Sequence, residues 1–365
     1  MSITWAQALT WRLRRQLLSP PGDEPVAAVV RRLGAVLAMD QGLAELVVGL
    51  RRSTPQPGEV ARALVDGELV KVFAFRGATH YLAPDDAGAY LALRGAGRQW
   101  ELPSWQDYYQ LTAQDWPAFR ETVREALTEG PLTLDELGAA VTGRAAYRHL
   151  RPVFDDGAGT LIKPLTWQGD MGFGPPRDGR ATFQRLDADP RWAGVWELDE
   201  AGPYAITSYV GGYGPTTTEQ VHYWLGSGLS AGTKRLRGWL ADLGDRLATV
   251  DIEGEPRLML REHVDDLLAT EPAGSVHLLP GHDPWVIGPS TKDERVVPAD
   301  RRTPVTRKAN LVLVDGVVAG TWKLGKARLE VTWLAGGSAA PAEELAAATE
   351  RVAGVVGRPL ELRVG

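Results

Sequence analysis

The chain has 365 residues, 44% of them apolar and 24% charged, with a formal charge of −6. That length allows two or three packed units with cores of their own, and the mild acidity argues against a protein that coats DNA indiscriminately. The absence of cysteine excludes disulfides, thiolate metal sites and a cysteine nucleophile, and no apolar run is long enough to suggest a transmembrane helix.

The first segment predicts an apolar-periodic helix over residues 4–18, stopped by Ser19-Pro20-Pro21-Gly22 because proline cannot continue a helix. Helices over 26–33, 42–51 and 59–66 follow, the last after the breaker Pro55-Gln56-Pro57-Gly58. Residues 69–76 are rich in Val and Phe, Gly77-Ala78 reads as a turn, and Thr79-His80-Tyr81-Leu82 returns. Helices followed by a two-strand wing make a winged helix-turn-helix pattern.

The second segment opens with a helix over 116–129, broken by Gly130-Pro131. Thr133 and Glu136 have the spacing of a capping box, in which each side chain satisfies a backbone N–H at the helix start. Helices over 134–141 and 144–154 follow, and residues 160–167, 169–174 and 181–186 are the candidate wing strands. In the third segment, residues 204–210 lead through Gly211-Gly212-Tyr213-Gly214-Pro215 to the caps Thr216 and Thr217, set against Glu219 and Gln220. Helices over 219–225 and 231–243 and strands over 248–252 and 257–260 complete the repeat.

The last ninety or so residues differ. Residues 277–280, 310–314, 317–323 and 328–333 read as strands, with Asp315-Gly316 as a hairpin turn in which Gly tolerates positive φ. A helix over 342–355 and a strand over 360–362 close the chain. The expected fold is α+β: three tandem winged helix-turn-helix units (1–112, 113–200 and 201–271) and a C-terminal mixed α/β region (272–365).

Basic residues gather in two groups: Arg12, Arg14, Arg15, Arg31, Arg32, Arg51 and Arg52 early, and Lys292, Arg295, Arg301, Arg302, Arg307 and Lys308 late. If the groups share a concave face, even an acidic protein can hold a phosphate backbone. The competing interpretation makes each group an ordinary solvated face. Residues 226–234 (GSGLSAGTK) lack the order of a phosphate-binding loop, since Lys follows Thr. They read as a helix–helix turn. Neither a metalloprotease nor a serine-hydrolase motif is present. Trp11, Trp224 and Trp239 sit at helical spacing and suit a core. Trp322 and Trp333 could stack on a ligand, but suit core packing better.

Several segments together carry a family resemblance. They are residues 33–51; Arg76-Gly77-Ala78-Thr79-His80-Tyr81-Leu82; residues 209–226; HLLPGHDPWVIG over 277–288; and VDGVVAGTWK over 314–323. In order and spacing the chain resembles the winged-helix DNA glycosylases of the AlkZ/YcaQ type. The resemblance implies double-stranded DNA as partner, alkylated bases such as bulky N7-alkylguanines or crosslinks as substrate, and a role in DNA repair or protection from genotoxins. It implies no cofactor or metal. A cytoplasmic monomer without membrane contact is the expected state.

In that family the stretch matching residues 37–39 carries two polar catalytic groups around an apolar residue. Here it reads Leu37-Ala38-Met39. Leu37 and Met39 can neither accept a proton nor orient a water, so excision is expected to be weak or lost. Asp40 and Gln41 are the substitute catalytic candidates. An Asp just before a helical run is also an ordinary N-cap, and were 37–40 helical, Asp40 would point about 100° from Met39. The candidate DNA contacts are Arg12, Arg15, Arg31, Arg32, Arg51, Arg52, Arg76, His80, Arg301, Arg302, Arg307 and Lys308. His80 matches a family position near DNA, although a lone strand histidine is commonly structural. Asp283, before Pro284, reads as a turn residue in preference to a site carboxylate. The alternative function is a non-catalytic winged-helix regulator, or a protein that binds a lesion or small genotoxin.

Overall fold

Thr4 starts the first helix, Trp5–Arg15, by accepting a hydrogen bond from the Gln7 backbone N–H at 3.2 Å. The computed structural model describes residues 3–336 and 339–365. With 48% helix and 18% strand the protein is a mixed α/β molecule. It divides into two compact units, each assembled from separated stretches. The first unit runs up to Ala61 and includes Ile206–Trp224 and Gly238–Gly365; the second comprises Arg62–Ala205 and Leu225–Arg237. The sequence expectation of contiguous segments dividing at about 112, 200 and 272 rests on local helix and strand patterns, whereas these units follow packing.

In the first unit, neighbouring faces of Trp5–Arg15 enter different cores. Leu9 and Leu13, four residues apart, join Leu46, Trp285, Leu311 and Leu313 in the larger core. Trp5, Ala8 and Trp11 pack instead against Val250, Ile252 and Met259 of the hairpin formed by Leu247–Ile252 and Glu255–Leu260. The larger core lies on a five-stranded sheet. Its order is Glu361–Val364, Arg328–Trp333, Val317–Leu324, Asn310–Val314 and Val276–Leu279. All neighbours are antiparallel except the first two, which run parallel. At the tip of the central hairpin Asp315 and Gly316 both take positive φ, 51° and 81°. This is the primed turn that the Asp-Gly pair predicts. The helix Ala342–Val356 crosses Gln41–Gly49 so closely that a Cβ on Gly49 would meet Val355 Cγ2 at 2.8 Å. Glycine at that crossing permits the approach.

In the second unit the strands Thr79–Leu82, Val70–Phe73, Gly172–Arg177, Arg180–Gln184 and Leu132–Thr133 lie side by side in that order, with antiparallel pairing. Thr133 and Glu136 form the expected capping box at the start of Leu134–Thr142. Trp116 stacks on Trp100 with centroids 6.1 Å apart and meets Trp105 edge-on at 5.2 Å.

Several elements differ from the sequence expectation. Residues 160–167 are not a wing strand: Pro164 at the first turn, a favoured helix-start position, begins the short helix Lys163–Trp167. Residues 204–210, to which the sequence assigns no element, belong to a sixteen-residue helix, Leu198–Tyr213, which tolerates Pro203 near its start. The helices Pro84–Gly95 and Pro103–Tyr109 also open on proline. Thr217 and Gln220 complete a second capping box as their spacing predicts. Their helix is short and passes into a π-helical turn over His222–Ser227.

Candidate nucleic-acid site

Residues 36–41 make a short strand, a bend and a helix start. Val36–Leu37 is extended, and Leu37 is half-buried. Met39 is 70% exposed. Asp40 has extended backbone angles and is the N-cap of Gln41–Gly49, its Oδ1 accepting from the Leu43 N–H at 3.1 Å. Gln41 Nε2 donates to Glu45 Oε1 at 2.8 Å. The Glu45 carboxylate in turn accepts from the Val60 and Ala61 N–H groups at 3.0 and 2.9 Å. That places negative charge at the start of Glu59–Val65, where the helix dipole favours it. Asp40 and Gln41 are therefore both engaged in holding helix ends, and both remain exposed to solvent.

The early arginines divide by burial. Arg51 is wholly buried; its Nη2 and Nη1 donate to Asp283 Oδ1 and Oδ2 at 2.7 and 2.9 Å, and Nη1 also donates to the Val47 carbonyl at 2.8 Å. Asp283 caps Pro284–Ile287 through the Trp285 N–H at 2.8 Å. It is therefore the anchor of a buried ion pair as well as an Asp-Pro turn residue. Arg12 is 1% exposed, donates to the carbonyls of Gly214 and Pro215 at 3.3 and 2.9 Å, and lies over the Trp285 ring. Burial pulls its pKa below the usual arginine value. Arg12 and Arg51 are thus enclosed in the interior and not on a face open to solvent.

Arg15, Arg31, Arg32, Arg52, Arg301 and Arg302 are half-buried. Arg15 Nε donates to the Gly211 carbonyl at 3.1 Å, and Arg32 lies 3.9 Å from Glu24. Arg52 pairs with Glu59 at 3.0 Å, Arg301 donates to the Val318 carbonyl at 2.8 Å, and Arg302 meets Glu294 at 3.2 Å. Arg307 and Lys308 are exposed. Of the tryptophans, Trp11, Trp224, Trp239 and Trp322 are buried, and Trp322 donates Nε1–H to the Leu279 carbonyl at 3.0 Å. Trp333 is half-buried against the same core.

In the second unit Arg76 is exposed at the tip between Val70–Phe73 and Thr79–Leu82, with left-handed φ of 52°. His80 is 4% exposed. Its Nδ1 donates to the Ala78 carbonyl at 3.0 Å and its ring packs on Phe75 at 5.4 Å. Burial pulls its pKa down to about 4, so the ring is neutral and faces the interior, where DNA contact is not available to it. Arg94 and Lys163, which lie in neither basic group of the sequence, converge with their head groups on the same hairpin. A Cβ built at Gly77 would meet Lys163 Nζ at 3.4 Å and Arg94 Nη2 at 3.9 Å. Only the fold brings these positions together, so no local motif marks them. Among the described residues no cluster of three or more His, Asp or Glu side chains could hold a metal ion, and no helix is long and apolar enough to cross a membrane.

The family model described as AlkZ-like DNA glycosylase matches residues 30–355. This chain belongs to the AlkZ-like DNA glycosylase family. It is 36% identical over 340 residues to an interstrand DNA cross-link repair glycosylase of Streptomyces sahachiroi, with 91% of each chain covered. It also resembles the solved structure of the Streptomyces sahachiroi DNA glycosylase AlkZ, with a TM-score of 0.93, 34% identity and the full length of both chains covered.

Proposed function

We propose that this protein binds alkylated double-stranded DNA and has lost most or all of the excision step of its family. Hydrolysis of an N-glycosidic bond needs little from a protein when the purine is alkylated at N7, because the positive charge already makes the base a good leaving group. What remains is to stabilise the cationic sugar and to aim a water at its anomeric carbon. A positioned amide or carboxylate does both by hydrogen bonding and electrostatics. Leu37 and Met39 occupy the positions where the family resemblance expects such groups, and they supply neither.

The observation that carries this reading is the pairing of an exposed Met39 with an Asp40 already occupied as a helix cap. A 70%-exposed methionine retained on the surface suits contact with a ligand's apolar face. It does not suit acid–base work. Asp40 can reach a substrate only by giving up the Leu43 N–H, or by accepting from both at once.

In this reading the helix–hairpin sets act as winged units on DNA. They are the Val70–Phe73 and Thr79–Leu82 hairpin, the Thr133-capped helix with Gly172–Arg177 and Arg180–Gln184, and the Thr217-capped helix with Leu247–Ile252 and Glu255–Leu260. Arg15, Arg31, Arg32, Arg52, Arg76, Arg301, Arg302, Arg307 and Lys308 are the expected phosphate contacts, and the protein acts as a cytoplasmic monomer. The likeness to a cross-link repair glycosylase favours a bulky or cross-linked N7-alkylpurine as the lesion. The test is a binding titration on duplexes with and without one N7-alkylguanine, followed by assay of the same mixtures for abasic sites. Preferential binding with few abasic sites is expected; absence of binding at low salt would overturn the reading.

A further inference from the structure

We propose that Lys163 and Arg94 form a phosphodiester clamp at the Gly77 turn, holding one backbone phosphate of bound DNA; this rests on the DNA-binding reading above. Two cations on different elements meet there. Lys163 opens the helix Lys163–Trp167, and Arg94 lies in the last turn of Pro84–Gly95. The Arg94 guanidinium lies over the Trp167 ring at 4.1 Å from its centroid, and Nη1 donates to Ser230 Oγ at 3.0 Å. Those contacts fix the plane of the guanidinium and leave Nη2 towards Gly77. Lys163 Nζ lies 5.2 Å from the Phe73 centroid and reaches the same glycine.

No carboxylate balances the pair. Arg94 is 9% exposed, and neither it nor Lys163 has an acidic partner among the described residues. Burial lowers the pKa of both, and for Lys163 the neighbouring charge of Arg94 lowers it further. Placing like charges together in a desolvated setting costs stability unless an anion completes the site. By contrast, the buried Asp170 of this unit is neutralised, accepting from Arg120 Nε and Nη2 at 2.7 and 3.0 Å. What sets Lys163 and Arg94 apart is that two cations converge on one point, the Gly77 turn.

Gly77 keeps the approach open. Its φ is +70°, a conformation that side chains avoid. The only atoms within 4 Å of a Cβ there would be the two cationic heads. A side chain would shield them, whereas a bare Cα admits a phosphate close to the backbone. Arg76, exposed on the same turn, adds positive potential. An ammonium beside a planar guanidinium suits a phosphate, the ammonium as point charge and the guanidinium as oriented donor.

The experiment measures duplex DNA affinity against salt for the wild-type chain, Lys163→Gln and Arg94→Lys, with thermal melting to check that each folds. It repeats the titration on duplexes carrying a neutral methylphosphonate at one position at a time. Each neutralised phosphate contributes about −0.9 to the slope of log affinity against log salt. Lys163→Gln should make the slope shallower by about 1, and Arg94→Lys, which keeps the charge, should retain it. One methylphosphonate position should weaken the wild-type chain markedly and Lys163→Gln less, since Arg94 still faces that phosphate in the variant. Unchanged slope and unchanged methylphosphonate sensitivity in folded Lys163→Gln would overturn the clamp while leaving the DNA-binding reading intact. Failure of the wild-type chain to bind DNA at all would instead sink that reading. If inorganic phosphate at constant ionic strength protects Lys163 from acylation and no methylphosphonate position matters, the site takes free phosphate and the DNA assignment is wrong.

Discussion

Asp283 holds the buried guanidinium of Arg51 with both carboxylate oxygens while one of them also caps the following helix through the Trp285 N–H. The two residues are 232 positions apart and both side chains are fully enclosed. This one contact ties the helix Gln41–Gly49, which follows the candidate catalytic stretch, to the C-terminal part of the same unit.

Removing either partner leaves a buried charge uncompensated, so Arg51→Ala or Asp283→Ala should cost about 3–5 kcal/mol. Chemical denaturation midpoints measure this. The salt dependence of DNA binding by whatever protein remains folded should not change, because Arg51 faces the interior. A small stability loss with a shallower salt slope would show that Arg51 reaches phosphate after all.

Acid should destabilise the protein through His80 and His277. Both have pKa values pulled from 6.5 to about 4 by burial, so the folded state prefers the neutral ring. Their contribution is fully present above pH 6.5 and is lost as the pH falls from there through about 4. The loss is on the order of 3 kcal/mol for each ring. His80→Gln and His277→Gln together should flatten the stability profile between pH 6.5 and 4. A double variant whose profile still falls as steeply as that of the wild-type chain would assign the acid sensitivity to other groups.

Asp40 allows capping to be separated from catalysis. Asn is as good an N-cap as Asp, whereas Ala loses about 1 kcal/mol. Asp40→Asn should therefore melt close to wild type and Asp40→Ala below it, with neither altering the low excision that the proposed function predicts. Excision that is robust in the wild-type chain and abolished in Asp40→Asn would make Asp40 a displaced catalytic carboxylate.

Leu37→Gln with Met39→Gln should raise excision, since it returns polar groups to positions that the family resemblance marks as catalytic. A single positioned group is typically worth on the order of 10²–10³ in rate. Met39 is largely exposed, so the second substitution should shift stability by no more than about 0.5 kcal/mol. Single-turnover measurement on an N7-alkylguanine duplex reads the gain. An unchanged rate in a variant that still binds DNA would place the catalytic positions elsewhere in the chain.

Local signals carried much of the fold. The Asp315-Gly316 turn, the capping boxes at Thr133 and Thr217, and the helices over 26–33 and 342–355 are written in neighbouring residues. Helices that open on proline were harder to read, because proline near a helix start resembles a breaker in sequence, as at Pro84, Pro103 and Pro164. The site was less legible than the fold. Positive charge along a chain does not reveal its partner: Arg12 and Arg51 look like surface cations until Gly214, Pro215 and Asp283 are folded against them. The converse holds for Arg94 and Lys163, which lie outside both basic groups and meet only at Gly77.

Incubation of the wild-type protein with a duplex carrying a single N7-alkylguanine, read simultaneously for complex formation and for abasic sites, tests the central claim most directly. The account predicts salt-sensitive binding with abasic sites at or near the spontaneous level. Rapid, stoichiometric release of the alkylated base would contradict it.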